Sequence, residues 1–460
     1  MLTTSILAVA MLASAADSVA VVPDAVSPAQ SAPVAAGEVA RPRLVLSREE
    51  CLKIALSDNP TVKVADMEVT RADYSRRETL AGVFPTVDFN GAYQRTIKLQ
   101  TMSMDFGGQS QTIKVGSDNT WNLGFNASMP LVAPTLWKAI SIADTQILAN
   151  LEQSRASRLD LVHQVNQAYY SLMLAISSRD VIRDNYELAR YNADLYEKQF
   201  QAGTASEYDV LRSSVQVKNV EPELLQADIA VKQCQLQLNV LMGFAGDVEI
   251  MPDVRLSDMQ RDMYGAYSTY SLSDNTSLRS LDIQRTLADK NVDLKKLAWV
   301  PTLAATFSYS WTALSNGTAV KNQQFNPYST VGLAVSVPIF SGLSKYYGLK
   351  QAQVQRKELD LQRENLINTL TMQADLAIDN INREVRQIAT SEEGVRQAVK
   401  AHDIMQRSFE IGAASYLDLR DSELAETSAR LAYLQSIYNY LVSTSELDLL
   451  LGRGVPENQQ

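Results

Sequence analysis

The chain has 460 residues, 46% apolar and 20% charged, with a formal net charge of −10. That length suits two or three ordinary domains or one elongated unit, and the apolar share can bury a sizeable core. The acidic balance argues against a nucleic-acid partner, because neutralising phosphates needs a basic face, and no run of five or more like charges offers a binding tail.

Residues 1–15 read as a signal peptide: a short apolar stretch ends in Ala13-Ser14-Ala15, a small-x-small cleavage pattern. The positive residues that usually precede such a stretch are missing, which leaves the true start open. Residues 16–42, rich in Ala, Pro and Ser, read as a disordered linker. No later stretch reaches 18 apolar residues, so any membrane crossing must use strands.

The remainder repeats itself. Leu56-Ser-Asp-Asn-Pro60 returns as Leu272-Ser-Asp-Asn-Thr276, and Phe84-Pro85-Thr86 as Val300-Pro301-Thr302, both at an offset of 216. Leu123-Gly-Phe-Asn-Ala-Ser-Met-Pro130 returns as Val331-Gly-Leu-Ala-Val-Ser-Val-Pro338 at 208. Phe200-Gln-Ala-Gly203 returns as Phe409-Glu-Ile-Gly412, and Leu241-Met-Gly243 as Leu450-Leu-Gly452, both at 209. The fall from 216 to 208 places eight extra residues in the first half, between its two strands. The halves run over about 43–250 and 265–455, with a Tyr-rich joint between them.

In chain order, each half opens with a segment of helical pattern, 61–82 and 277–298. Strands follow at about 84–96 and 119–130, then at about 299–312 and 329–339 in the second half. They alternate with period two. Trp121, Leu123, Phe125, Ala127 and Met129 oppose Asn122, Gly124, Asn126 and Ser128, and Leu303, Ala305, Phe307, Tyr309 and Trp311 oppose a small, polar row. The pattern fits a soluble antiparallel sandwich and also a transmembrane barrel with aromatics near the strand ends. The export signal, the small polar face and the isolation of the strands among long helices favour the barrel.

A long helix follows each strand pair. Residues 136–200 hold no Pro or Gly, and 65 helical residues reach about 98 Å. Residues 345–408 carry a narrow apolar stripe at helical spacing. Gly203 and Gly412 stop these helices, and Ser206 and Ser415 cap the returning ones, 206–242 and 415–451. Pro222 implies a kink in the first return. A return of 37 residues cannot retrace 65, so the 22-residue segments before the strands are expected to stack on the returns. Residues 47–58, 250–270 and 453–460 would form a belt around the joints. Four strands cannot close a barrel, since the smallest membrane barrels have about eight, so the barrel must be shared between copies.

Cys51 and Cys234 read as two buried thiols, with a single disulfide as the alternative. His163 and His402 lie on expected helices without a second His or Cys three or four residues away, and read as helix-surface residues. No nucleophile–base pair, phosphate loop or metal cluster appears, so neither catalysis, a cofactor nor a metal is expected.

The segment from Arg43 to Pro60, the Gly-x-x-Ser-x-x-Asp tips, and the strand-ending Pro130 and Pro338 resemble the TolC-like family of outer-membrane efflux proteins over about 43–455. The resemblance implies an α+β membrane protein: a homotrimer with a shared 12-stranded β-barrel in outer-membrane lipid, four transmembrane β-strands per chain, and a periplasmic tunnel of long α-helical hairpins. It implies docking to a periplasmic adaptor protein and an inner-membrane transporter, at tips around Gly203, Ser206, Gly412 and Ser415. It also implies an acidic constriction, matched here by Asp418 and Asp421, three apart and so on one helix face. Asp209 matches Asp418, but Arg212 stands where Asp421 would be. The Tyr and Arg that lock the tip in better-known members are Phe409 and Ala414 here, with Arg212 or Arg420 as possible substitutes. A type I protein-secretion duct of the same fold, a passive diffusion porin and a soluble coiled-coil scaffold are the rival readings.

Overall fold

A computed structural model describes residues 43–106, 109–244, 248–262, 270–316 and 324–454. The signal-peptide and linker segments, and the belt residues 263–269 and 455–460, lie outside the described residues. The elements in order are β1 (Arg43–Leu46), α1 (Arg48–Asp58), α2 (Pro60–Ala81), β2 (Thr86–Arg95), β3 (Gln100–Phe106), β4 (Gln109–Val115), β5 (Asn119–Val132), α3 (Pro134–Gln201) and α4 (Glu207–Met242). They continue with β6 (Glu249–Pro252), a 3-10 helix (Leu256–Asp262), α5 (Thr276–Leu297), β7 (Thr302–Ser315), β8 (Asn326–Ser336), α6 (Ser344–Glu410) and α7 (Tyr416–Leu451).

The long helices are α3, with 68 residues, and α6, with 67, each about 100 Å at helical rise. α2 and α4 both pack on α3, and α5 and α7 both pack on α6. Thus each long helix has two short partners. α3 also touches α5 and α7, so the helices run α4–α3–α7–α6 toward one end and α2–α3–α5–α6 toward the other. Pro222 lies inside α4, where it removes one backbone donor.

The short helices meet at two matching joints. Asn59, 6% exposed, caps α2 by accepting from Thr61 N at 2.8 Å, and its Nδ2 donates to Leu241 O near the end of α4 at 2.8 Å. Asn275, 4% exposed, accepts from Leu278 N at 2.9 Å and donates to Leu450 O of α7 at 2.7 Å. One buried amide therefore satisfies an orphan donor of one helix and an orphan carbonyl of another. Gly243 and Gly452 end α4 and α7 at φ +75° and +70°, and a Cβ on either would crowd the carbonyl of Asp58 or Asp274. The left-handed backbone favours glycine at both positions, and at Gly452 the approach leaves no room for a side chain. Arg155 of α3 braces the second joint, donating to Gly452 O at 3.3 Å and Asp274 O at 2.6 Å.

The main core surrounds these joints. It joins Cys51, Leu52, Ala55 and Leu56 of α1 to Val165, Tyr169 and Leu172 of α3, Leu238 and Met242 of α4, and Ile437, Leu447 and Leu451 of α7. Both cysteines are free; burial pushes the Cys51 thiol up to about 12. The histidines are half-buried rather than on the surface, each facing a serine of α7: His163 Nδ1 lies 3.0 Å from Ser445 Oγ, and His402 Nδ1 lies 3.4 Å from Ser422 Oγ.

The strands form a four-stranded sheet in the order β2-β5-β7-β8, all pairs antiparallel. Several boundaries differ from expectation: β7 runs on to Ser315 and β8 begins at Asn326. The segments 84–85 and 299–301 belong to helix exits, with Phe84 N bonded to Ala81 O and Val300 N to Leu297 O, both at 3.0 Å. β8 stops at Ser336, two residues before Pro338, which has no N–H for a ladder. Two further sheets were not anticipated. β3 and β4 form a hairpin inside the longer loop of the first set, and β1 pairs in parallel with β6 beside the joints.

At the entry to α6, Leu343 adopts φ +65°, the only positive-φ non-glycine among the described residues. Leu343→Gly is expected to stabilise the protein by about 1 kcal/mol, since a side chain in the left-handed region costs roughly that much. Asn59→Ala is expected to cost about 2–3 kcal/mol, a lost cap plus a carbonyl left unpaired, whereas Asn59→Asp keeps the cap and recovers part of it. Thermal unfolding in detergent, followed by circular dichroism, checks all three.

Candidate functional site

Register turns the alternation of single strands into two continuous faces. On one face, Val87, Ala127, Phe307 and Val331 form one cross-strand row, and Phe89, Phe125 and Tyr309 lie in the next. On the other, Asp88, Asn126, Ser308 and Thr330 share a row, followed by Thr86, Ser128, Thr306 and Gly332. The sheet is thus apolar on one side and small and polar on the other, as suits a wall between lipid and water. Aromatic rings pack across the apolar side, with Phe89–Phe125 and Tyr93–Trp121 centroids both 5.0 Å apart. Among the described residues no helix is long and apolar enough to cross a membrane.

The edges of this sheet are open. Every residue of β2 and of β8 is exposed, including Val331 at 84% and Leu333 at 71%. Such edges invite pairing with another chain.

At the far end of the long helices, the two turns have the same construction. Gly203 and Gly412, at φ +76° and +74°, accept the left-handed stop, and a Cβ on either would meet nothing within 4 Å. These glycines are needed for backbone conformation alone. Ser206 and Asp209 form a capping box: Asp209 N donates to Ser206 Oγ at 3.2 Å, and Ser206 Oγ and N donate to Asp209 Oδ2 at 2.6 and 3.1 Å. Ser415 and Asp418 repeat these distances. The bonds from Ser415 hold the Asp418 carboxyl below its usual range. Asp209 and Asp418 therefore both act as helix caps. Asp421 is exposed and forms no hydrogen bond or ion pair among the described residues.

Four helices converge on an aromatic cluster above the turns. Tyr196 of α3, 8% exposed, meets Tyr416 of α7 at 5.3 Å and Phe409 of α6 at 6.4 Å. The Arg212 guanidinium of α4 sits 5.3 Å from the Tyr416 ring centroid. Arg212 thus links α4 to α7 within one chain, whereas Arg420 lies near Glu423 and Tyr416 on its own helix. Burial pushes the Tyr196 phenol up to about 12. Tyr196 and Tyr416 escaped the sequence reading, although both lie within two turns of a tip glycine. Farther along, Glu423 is half-buried between α3, α6 and α7, takes a 3.3 Å bond from Asn192, and has its carboxyl raised by burial.

An acid whose folded pKa is raised binds protons more readily folded than unfolded, so its ionisation removes stability as pH rises through the folded value. Glu423→Gln should therefore raise the melting temperature by a few degrees at pH 7 and by little at pH 4. Paired thermal scans at the two pH values check this. Arg212→Gln should loosen the tip, seen as faster amide exchange confined to residues 196–216 and 405–420.

Among known proteins, TolC of Vibrio cholerae is 20% identical over 333 residues, covering 72% of this chain and 76% of that protein. The cation efflux system protein CusC of Escherichia coli O157:H7 is 22% identical over 411 residues, covering 87% and 84%. A crystal structure of CusC superposes with a TM-score of 0.71 at 18% identity, covering 90% of this chain and 94% of that one, which is a likeness of fold. The outer membrane efflux protein family matches residues 51–244 and 269–453, ranges that take in the strands, long helices and tips, and the chain belongs to that family.

Proposed function

We propose that three copies of this outer-membrane efflux channel close a shared 12-stranded barrel, β2 of one copy pairing with β8 of the next, and that the helices continue it as a periplasmic tunnel. The open sheet carries this reading. Four strands expose two edges whose apolar and polar faces are already in register, and a head-to-tail contact between unlike edges generates a ring when its rotation closes. The outer helices agree, since α4 exposes Leu211, Val215, Leu225, Ile229 and Val240, and α6 exposes Tyr347, Val354 and Leu361. In this reading the halves 43–250 and 265–455 are internal repeats, so the trimer has quasi-sixfold walls.

Conduction is passive, driven by an inner-membrane transporter that reaches the tips around Gly203, Ser206, Gly412 and Ser415 through an adaptor protein. Asp421 is the gate carboxylate, gathered threefold near the axis, where a ring of acids favours cations. Asp418 contributes charge while capping its helix, and Arg212 on Tyr416 replaces the family's lock. A porin would need no helical extension of about 100 Å.

Extracted without heating, the protein should run as a band of three chain masses that heat converts to one. A single-chain band under all conditions refutes the shared barrel. Asp421→Ala should raise single-channel conductance or lower cation selectivity in planar bilayers, and unchanged recordings would remove its gating role while leaving the trimer intact.

A further inference from the structure

The sheet contains one hairpin twice. The sequence offsets of the strands, 216 from β2 to β7 and 208 from β5 to β8, carry the first hairpin onto the second. Thr86 opposite Ser128 becomes Thr302 opposite Ser336, and Tyr93 opposite Trp121 becomes Tyr309 opposite Ser329; both second-half pairs stand in the observed ladder. The two hairpins therefore share one register, residue for residue. The joint between them, β5 on β7, forms inside the chain. Its equivalent between copies is β8 on β2, the two strands with a free edge.

The end of β8 carries the mark of a missing neighbour. Beyond Ser128, its last partner on β2 being Thr86, β5 continues beside β7 alone, with a shift in register between Pro130 and Val132. β8 ends at Ser336, opposite the first residue of β7, yet its apolar alternation goes on through Val331, Leu333, Val335, Val337 and Ile339. Ile339 and Phe340 are 93% and 82% exposed, whereas their counterparts Leu131 and Val132, with β7 beside them, are 42% and 37% exposed. Apolar residues this bare at a free edge point to a strand supplied from outside.

We propose, resting on the shared barrel described above, that β8 meets β2 of a second copy in the register of β5 on β7. Phe125 opposite Tyr309 and Asn126 opposite Ser308 become Leu333 opposite Tyr93 of the next copy and Ala334 opposite Ala92 of the next copy. Met129 opposite Ala305 and Val132 opposite Leu303 become Val337 opposite Phe89 and Phe340 opposite Val87 of the next copy. Apolar residues then face apolar ones along the whole joint. A slip of one residue would turn the apolar face inward, so the competing registers differ by two. Equal stagger at every joint also keeps the strand tilt uniform around a barrel. In this register β8 extends through 337–340 and bulges at Ile339, as β5 does at Leu131. Bulges gather at barrel rims and bend the strand, here where each second strand of a hairpin turns into its long helix.

Cysteine pairs read the register directly. Ala334→Cys combined with Ala92→Cys sets two thiols opposite each other across the joint, with Cβ atoms about 5 Å apart, near the span of a disulfide. Within one chain the two strands stand three spacings apart, about 14 Å, so the link forms only between copies. Both alanines are exposed in the single chain, and the changes spare its core. Mild oxidation of the full-length double variant in detergent should give a covalent trimer that survives heating and returns to single chains with reductant. Either single variant should give none, which controls for the native Cys51 and Cys234. Ala334→Cys combined with Asn90→Cys or with Gln94→Cys, the slips of two, should remain at single-chain mass. A covalent trimer through a slipped pair, or none from the Ala334–Ala92 pair while its unheated trimer band persists, would overturn the register and leave the shared barrel standing. Absence of an unheated trimer band from the unsubstituted protein would overturn both.

Discussion

The two asparagine joints are the interaction on which the helical part depends. A helix of 67 or 68 residues leaves a long flank to cover, and each short partner covers only part of it. Where the partners meet, four helix ends would expose unpaired backbone groups in a buried belt. Asn59 and Asn275 resolve this by using both ends of one amide. The second joint leaves no room for bulk at Gly452, and Gly243 sits tightly against the first. The core, the small parallel sheet and the 3-10 helix all gather around these two points.

The tips show how one residue can serve local structure and candidate function together. Asp418 is held by Ser415, so its charge is maintained by the same bonds that begin α7. A carboxylate engaged in this way is acidic but not free to reorient. Asp421, one turn further, has no such tether and is the more suitable of the two for a gate. The aromatic cluster supplies what polar bonds would otherwise provide. Tyr196, Phe409 and Tyr416 join three helices by ring contacts, and Arg212 adds the fourth.

The sheet imposes the other constraint. Its two faces differ so strongly in polarity that the chain cannot bury one without wetting the other. Its edges remain unpaired within one chain. Closing them with further copies removes both liabilities together, which is the physical basis of the shared barrel.

Much of this was legible in the sequence because it rests on local rules. Helix limits followed from glycine stops and serine caps, as at Gly203–Ser206 and Gly412–Ser415, and strand faces followed from period two. The Leu-Ser-Asp-Asn motif was visible as a recurring string, but its task was not, since the partners of Asn59 and Asn275 lie 182 and 175 residues away. The same holds for the β1–β6 pairing, made by strands of four residues that are too short to show a period. It holds for His163 and His402, which looked like surface residues until α7 placed Ser445 and Ser422 beside them. The sequence by itself determined the elements, their order and the polarity of their faces, because those depend on neighbours a few residues apart. Tertiary structure alone decided which side chains bridge distant elements, as Asn59, Asn275, Arg212 and the two histidines do, because that depends on where the chain returns.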